Sequence, residues 1–443
     1  MKTKLKIASV ALSGILLLSV PVALTGCGGA PEGYVRESAE NMFWEREDAI
    51  KEDGTVAADL SIRIYNYAPS ILQEDENTRY AYYCSNRYTV GKTLGENWMD
   101  ELGNQQVTDY IAFRKGVKVK GEWWWSEKKY VLNPITLNGS SNHPYEGQQI
   151  CDPNVIKGEF SYNGHTYAYL MAYLACSTRD NQFNNVCLAV ADAPEGPWKR
   201  CTADEPLLKF TTDELPPNML STYLWGYGQA SMISLDQKGR VLMFYSAIKP
   251  FKNSNGGWSH QTQTSIARYD FSDLNNIKRE KFCEKMSVTG VTKPNDAGTK
   301  RENVTVVTNG DYMYDAATKR IYGITDGGSY GAPVFYIEDR SKSEDAEIGD
   351  VFFDYTREEW TANGIQWTTI DNVKSTNTTY YQSFSNTCVI RDPYGYALSS
   401  DKIEAVISGL LSTDALKALY PNETDTLWSF RILRKEVQIN DLK

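Results

Sequence analysis

The 443-residue chain lacks the residue spacings that mark metal and redox sites. It contains only three histidines, His143, His165 and His260, and its eight cysteines include no Cys-x-x-Cys pair. These absences argue against a zinc site built from histidine and cysteine and against a dithiol redox motif. The sequence therefore predicts no cofactor.

An excess of basic residues is also missing. The chain has 46 Lys and Arg against 56 Asp and Glu, a formal net charge of −10. Nucleic-acid binding needs basic patches, so this balance argues against a nucleic-acid partner and is compatible with neutral sugars. Aromatic residues, by contrast, make up 12% of the chain, with 11 Trp and 29 Tyr. Such residues serve a packed core or a sugar-stacking surface, and composition does not separate the two.

Long apolar runs are absent except at the beginning of the chain. Lys2, Lys4 and Lys6 precede an apolar stretch over 7–24, which is typical of a targeting segment rather than a membrane span. The stretch ends Leu24-Thr25-Gly26-Cys27, which resembles the cleavage box of bacterial lipoproteins. The resemblance implies a signal peptide over 1–26 and a lipidated Cys27 that anchors the protein to the outer face of the cell membrane. An ordinary secretory signal with an incidental cysteine is the alternative.

Seven cysteines remain besides Cys27, and most of them lie in apolar, strand-like runs. We expect buried free thiols, although one or two disulfides are compatible with a location outside the membrane. Residues 27–55 are rich in glycine and acidic residues and are predicted to form a tether.

Five similar segments follow the predicted tether. The clearest, over 146–198, contains Asp152-Pro153-Asn154-Val155-Ile156, two apolar runs and a Gly196-Pro197-Trp198 ending. An apolar run that ends in a small hydroxyl residue recurs at Ser85, Ser177, Ser246, Thr325 and Ser399. Acidic turns precede four of these runs, at Asp75, Asp236, Asp315 and Asp392, and a further strand-like segment follows each run.

Fixed-period similarity among short strands predicts an all-β, five-bladed β-propeller over 56–443, in which ring closure removes exposed sheet edges. An unrelated β-sandwich with coincidental spacing is the alternative. The triplet Trp123-Trp124-Trp125 would place its outer two rings on one strand face, either for packing between blades or for stacking on sugars. Short helices are expected as decorations near 400–420, where Ser400 or Asp401 is positioned to cap one helix and Thr413 begins another.

The Asp152–Ile156 motif, the hairpin after it and the Gly196-Pro197-Trp198 ending are similar to blades of five-bladed glycoside hydrolases of families 43 and 32. The resemblance implies that the first strand of each blade lines a central funnel, where acidic residues of three blades act on an oligo- or polysaccharide. It also leaves open a central Ca²⁺, which this sequence does not reveal. Hydrolysis needs one carboxyl group to protonate the leaving oxygen and another to activate water or attack the sugar.

Counting back seven residues from each acidic turn, and taking Asp152 directly from its motif, locates the funnel positions in this sequence. They are Ala68, Asp152, Gln229, Thr308 and Ser385. Only Asp152 is a carboxylate, and it matches the acidic stabiliser; Ala68 and Gln229 replace the base and the acid. Glu146, Glu302 and Asp311 are near enough in sequence to reach the funnel if the register is shifted.

Three functions are compatible with this pattern. The first is a lipoprotein that recognises an extracellular glycan with little or no hydrolysis, with Asp152 and Gln229 contacting the sugar beside Trp225 and Tyr227. The second is an active glycoside hydrolase, similar to arabinofuranosidases or xylosidases, with displaced carboxylates. The third is a propeller that binds a protein partner.

Overall fold

The structure is a computed structural model. It describes residues 31–38, 41–43, 62–63, 65–86, 89–90, 109–135, 143–178, 181–202, 204–213, 215–216, 219, 223–295, 299–376, 381–419 and 430–439. The predicted signal peptide and Cys27 lie outside these residues. No helix among the described residues has both the length and the apolar character needed to cross a membrane.

Antiparallel sheets form the first two blades of a propeller. Blade 1 contains β1 (Tyr34–Arg36), β3 (Asn66–Asp75), β4 (Thr78–Asn86), β6 (Asp109–Val119), β7 (Glu122–Ser126) and β8 (Lys129–Leu132), and a small ladder beside it pairs β2 (Ile62–Arg63) with β5 (Thr89–Val90). Blade 2 contains β9 (Gln149–Tyr162), β10 (His165–Cys176), β11 (Asn185–Ala191) and β12 (Lys199–Arg200).

Three further sheets form the remaining blades. Blade 3 contains β13 (Tyr227–Ser234), β14 (Arg240–Lys252), β15 (Trp258–Asp270) and β16 (Lys278–Cys283), and is followed by a hairpin of β17 (Thr292–Pro294) and β18 (Arg301–Asn303). Blade 4 contains β19 (Asp311–Asp315), β20 (Arg320–Ile324), β21 (Ala332–Glu338) and β22 (Thr368–Val373). Blade 5 contains β23 (Tyr381–Val389), β24 (Lys402–Leu411) and β25 (Arg431–Gln438).

The blades close into a ring. Their innermost strands contact one another in the cyclic order β3, β9, β13, β19, β23 and again β3. Five apolar clusters occupy the five spaces between neighbouring blades; Leu72 and Val155, for example, meet between blades 1 and 2, while Ile71 and Ile390 meet between blades 1 and 5. The predicted all-β, five-bladed propeller is therefore confirmed.

The acidic turns of the repeats have one structural role. In four blades, the turn between the first two strands begins with an aspartate whose Oδ1 accepts a hydrogen bond from the backbone N–H two residues later, as at Asp75, Asp236, Asp315 and Asp392. Aspartate favours turns for this reason. The repeat signal in the sequence thus records the turn chemistry of each blade.

Part of the predicted tether is built into the propeller. β1 pairs with β7 of blade 1, while Asn41 forms a bridge with Leu433 of blade 5. Trp125 of the tryptophan triplet is fully buried against Phe43, and its Nε1 donates to Glu37 Oε2 at 3.0 Å. Residues 34–38 and 41–43 therefore join blades 5 and 1. Of the triplet, Trp123 and Trp125 are buried and stack on each other within the fold.

Blade 5 differs from the sequence prediction. Its second strand is not Tyr396–Ser399 but β24, which occupies the place where a helix beginning at Ser400 or Asp401 was expected; both predictions were wrong. Tyr396 instead forms a single bridge to Tyr314, whereas Ile403, Val406 and Ile407 of β24 are buried in the sheet, where β-branched residues are favoured. The helix predicted from Thr413 is present as α3 (Thr413–Leu419).

Two short helices between β21 and β22 were not predicted. They are α1 (Val351–Asp354) and α2 (Arg357–Ala362). A capping box begins α2, because Thr356 Oγ1 accepts from the Glu359 N–H while the Glu359 carboxylate accepts from the Thr356 N–H. This pattern is readable in the sequence and was overlooked.

Candidate binding site at the propeller axis

Each blade contributes one residue with a left-handed backbone to the propeller axis, from its first strand in four blades and from just before β19 in blade 4. These residues are Ala68 (φ 50°), Asp152 (φ 48°), Gln229 (φ 45°), Asn309 (φ 52°) and Asn386 (φ 44°). In blades 1, 2, 3 and 5 the ladder between the first two strands shifts register at this point, as in a β-bulge. A bulge bends the strand and redirects a side chain. Four bulges, together with the left-handed Asn309 of blade 4, thus place five residues around one axis.

Of the predicted ring positions, Ala68, Asp152 and Gln229 line the pit, whereas in blades 4 and 5 the predicted residue lies one position before the residue that does so. Asn309 and Asn386 occupy the ring positions, whereas Thr308 and Ser385 precede them. The Thr308 carbonyl accepts a hydrogen bond from Thr325, and Ser385 pairs with Ser408 in the ladder. The fixed count of seven residues fails because the strand between ring and turn is one residue shorter in blades 4 and 5.

The five ring residues line a polar pit with about 300 Å³ of empty space that opens to solvent. The residue that follows each ring member also contributes to the wall, as do Asn154 and Asp311. Among the described residues that line the pit, none is Lys or Arg. The pit therefore presents amide and carboxyl groups without a basic side chain, an environment that disfavours anions.

Asp152 is buried in the pit wall, and its pKa is raised to about 8. Loss of water around the carboxylate is the main cause, and the nearby charges of Asp109 and Asp326 add to it, while a hydrogen bond from Gln229 acts in the opposite direction. Asp152 therefore holds its proton at neutral pH and can donate a hydrogen bond there.

Asp109 lies behind this wall at the beginning of β6. Its carboxylate accepts hydrogen bonds from the hydroxyl groups of Tyr65 and Tyr67, the latter at 2.9 Å. Burial raises the pKa of Asp109, and these two hydrogen bonds partly offset that rise. Tyr67 also lies 3.2 Å from Cys151 Sγ, so Asp109 and Asp152 are connected through one tyrosine.

Asp326 follows β20 and connects two members of the ring. Its Oδ2 accepts from Asn309 Nδ2 at 2.8 Å, and its Oδ1 accepts from the Asn386 backbone N–H at 2.6 Å. Desolvation raises the pKa of Asp326 to about 7, although both hydrogen bonds favour its ionised form. A second titratable carboxyl thus stands beside the ring, close enough to act on Asp152.

Gln229 has an incomplete set of hydrogen bonds. Its side chain donates toward Asp152, but its Oε1 is buried and has no partner among the described residues. A buried acceptor without a donor is costly in a folded protein. The amide oxygen is therefore ready to accept a hydrogen bond from a ligand.

The two aromatic residues predicted to flank Gln229 stand behind the pit. Trp225 packs against a cluster that includes Leu174 and Cys176, and Gly228 makes room for it, because a Cβ there would come within 2.6 Å of the indole ring. Tyr227 is half-buried against the core between blades 2 and 3. Both residues support the wall from which Gln229 projects.

A disulfide between Cys84 and Cys151 joins blades 1 and 2 at the pit. The backbone N–H of Asp152 lies 2.9 Å from Cys84 Sγ, so this bond fixes the strand at the ring position. Cys84, Cys151 and Asp152 are the one group of three possible metal-ligating side chains found among the described residues. Because its two sulfurs are bonded to each other, the group does not fit the oxygen cage that Ca²⁺ requires.

A buried network forms the floor of the pit. Asp311 Oδ1 accepts from Asn154 Nδ2 at 3.2 Å and from Ser231 Oγ at 2.6 Å, while Oδ2 accepts from the Val389 N–H at 3.0 Å. Arg391 pairs with Asp311 at 3.2 Å and donates to Asn154 Oδ1 at 2.9 Å. The network connects blades 2, 3, 4 and 5.

The other two alternative carboxylates do not face the pit. Glu146 is buried between Arg200 and Tyr173, and Glu302 is exposed on β18. Sequence reasoning missed two carboxylates near the pit, Asp109 and Asp326, because it considered only the first strand of each blade. Asp109 begins β6, the third strand of blade 1, and Asp326 lies just after β20, the second strand of blade 4. A signal for Asp326 was present, because it comes directly after the small hydroxyl residue that ends the repeated apolar run, at Thr325.

No protein-family model and no curated protein sequence matches this chain. Among solved structures it is similar to Zg3597, a family 117 glycoside hydrolase of Zobellia galactanivorans (TM-score 0.45, 11% identity, 91% of this chain and 89% of that chain covered). It is also similar to the catalytic domain of a Coprinopsis cinerea GH62 α-L-arabinofuranosidase (TM-score 0.41, 10% identity, 87% and 94% covered). A third similar structure is the endo-arabinase of Bacteroides thetaiotaomicron (TM-score 0.40, 12% identity, 85% and 94% covered).

Proposed function

We propose that the axial pit binds an uncharged saccharide. The main support for this proposal is the buried Gln229 Oε1, which has no hydrogen-bond donor among the described residues. The side chains around it in the pit include both donors and acceptors. Sugar hydroxyls supply both kinds of partner, as do the amides of Asn309 and Asn386 and the protonated carboxyl of Asp152. The absence of Lys and Arg among the described residues that line the pit disfavours phosphates and other anions.

Isothermal titration calorimetry with a panel of monosaccharides and short oligosaccharides tests this proposal. Gln229→Leu should weaken binding of any ligand found by about fivefold, because one ligand hydrogen bond contributes about 1 kcal/mol. Gln438→Leu is the matched control, since Gln438 is exposed on β25. Equal affinity of the two variants, or binding by no member of the panel, would contradict the proposal.

Hydrolysis of a glycosidic bond is a second candidate, favoured by the position of Asp326. In this scheme protonated Asp152 donates its proton to the glycosidic oxygen, which leaves with the electron pair of the broken C–O bond. Water attacks the anomeric carbon and gives its proton to ionised Asp326. The pKa values of about 8 and about 7 suit these two roles, acid and base respectively.

Turnover of aryl glycosides separates binding from hydrolysis. Asp152→Asn and Asp326→Asn should each lower the rate by about 10² to 10⁴, whereas Asp345→Asn, at an exposed loop position, should not. The rate should be highest between about pH 7 and pH 8, where the base is ionised and the acid is still protonated. Binding without turnover would reject hydrolysis and leave recognition standing.

We also propose that the protein is held at the outer face of the cell membrane through Cys27, which lies outside the described residues. The lipoprotein-like box at 24–27 supports this location. Cys27→Ser should move the protein from the membrane fraction to the medium or the soluble extracytoplasmic fraction. Unchanged membrane association of the variant would contradict the proposal.

A further inference from the structure

Two loop segments meet just before β13, the strand that carries Gln229. The N–H of Phe183 donates to the Leu224 carbonyl, and the N–H of Asn184 donates to the Trp225 carbonyl, both at 2.9 Å. Close approach requires Gly226, because a Cβ there would lie 2.5 Å from the backbone of Asn184. Since Gly226 is three residues from Gln229, these segments begin within roughly 10 Å of the ring.

The backbone of the first segment is held in an unusual conformation. Asn181 (φ 55°) and Phe183 (φ 58°) are both left-handed, which is rare for a bulky side chain. Asn181 Oδ1 accepts hydrogen bonds from Gln149 Nε2 at 3.0 Å and from Asn184 Nδ2 at 2.9 Å, and these bonds maintain the conformation. This backbone conformation leaves Phe183 exposed, with 36% of its surface accessible to solvent. Strain that the fold maintains in this way is typical of ligand-binding segments.

Tyr223 presents a second exposed ring from the other segment. It is 50% accessible, yet its hydroxyl donates to the Asn181 carbonyl at 2.8 Å, so the ring is fixed in position. The Phe183 ring stacks on Phe210, with 6.0 Å between centroids, and Phe210 in turn contacts Tyr227 at 5.9 Å. The aromatic contacts thus lead from the exposed rings to the wall behind Gln229.

We infer that Phe183 and Tyr223 form a stacking surface for a second sugar residue of an oligosaccharide whose first residue occupies the pit. This inference rests on the proposed saccharide binding. Exposed aromatic rings offer flat apolar faces that match the C–H face of a sugar ring. The ligand is therefore a chain of neutral sugars rather than a monosaccharide.

The dependence of affinity on chain length tests the inference. Unbranched xylo-, arabino- and gluco-oligosaccharides of one to six residues are titrated against the wild-type protein. In the series that binds, affinity should rise by about three- to tenfold from one residue to two or three. Phe183→Gly, which removes the ring without straining the left-handed backbone, and Tyr223→Ala should abolish this rise and leave affinity for the monosaccharide unchanged.

Controls keep the two proposals distinguishable. Phe282 is exposed to a similar extent, 42%, on the outer strand β16, so Phe282→Ala should retain the rise. Gln229→Leu should weaken binding at every chain length. A monosaccharide that binds as tightly as its oligomers, or a rise that persists in both ring variants, would overturn the inference while saccharide binding stands. Binding of no sugar at all would overturn both.

Discussion

Closure of the ring depends on the buried ion pair of Asp311 and Arg391. Removing the Asp311 carboxylate should therefore lower the free energy of unfolding by an amount that can be predicted. Arg391 is 1% exposed and Asp311 about as buried, and the pair receives hydrogen bonds from Asn154, Ser231 and Val389. Asp311→Ala leaves the guanidinium buried without its counter-charge. Breaking a buried pair in this way costs about 3–5 kcal/mol, a large part of a total stability of roughly 5–15 kcal/mol.

Urea unfolding followed by tryptophan fluorescence measures this loss. Glu436→Ala is the control, because it breaks the solvent-exposed Lys402–Glu436 pair and should cost less than about 1 kcal/mol. The double variant Asp311→Ala/Arg391→Met removes both charges and should recover much of the loss. If Asp311→Ala were as stable as Glu436→Ala, the account of the pit floor as a connection among four blades would be wrong.

Three other predictions concern the stability of variants relative to the wild-type protein. Asp152→Asn should be more stable than wild type at pH 8 and equally stable at pH 4. The pKa of Asp152 is raised in the folded protein, so the free energy of unfolding of the wild type decreases as the pH rises from 4 to 8. Unfolding curves of both proteins at both pH values test this prediction. Replacing Cys84 and Cys151 by serine removes a crosslink between residues 67 positions apart and should lower the free energy of unfolding by about 4 kcal/mol. An unchanged midpoint of urea unfolding would argue against the disulfide. Trp125→Ala should cost about 3–5 kcal/mol by loss of core packing and of its bond to Glu37, and a loss below about 1 kcal/mol would show that Glu37 and Phe43 do not pack against Trp125 as described.

The sequence was sufficient for the blade count because each blade repeats the same local chemistry. An aspartate that caps the first turn through its own side chain recurs at Asp75, Asp236, Asp315 and Asp392, and this is a property of a few adjacent residues. Blade 5 was misassigned after its turn, because Tyr396–Ser399 has strand propensity but only bridges a neighbouring blade. Tertiary contacts decided its conformation rather than local preference.

The candidate site was only partly predictable because it depends on strand pairing. The ring residues are set by bulges, and a shift of one residue replaced Thr308 and Ser385 with Asn309 and Asn386. Asp109 begins the third strand of blade 1 and Asp326 follows the second strand of blade 4, and only Asp326 has a signal in the sequence, its place directly after the repeated apolar run. The count of one funnel carboxylate was therefore incomplete, because Asp311 of β19 also lines the pit and because Asp109 and Asp326 lie near Asp152.

A crystal structure of the protein with a saturating concentration of the tightest-binding saccharide tests the central claim most directly. The account predicts difference density in the pit between Asp152 and Asn386, with a sugar hydroxyl within hydrogen-bonding distance of Gln229 Oε1. A saccharide bound elsewhere on the propeller, with the pit holding only solvent, would contradict it.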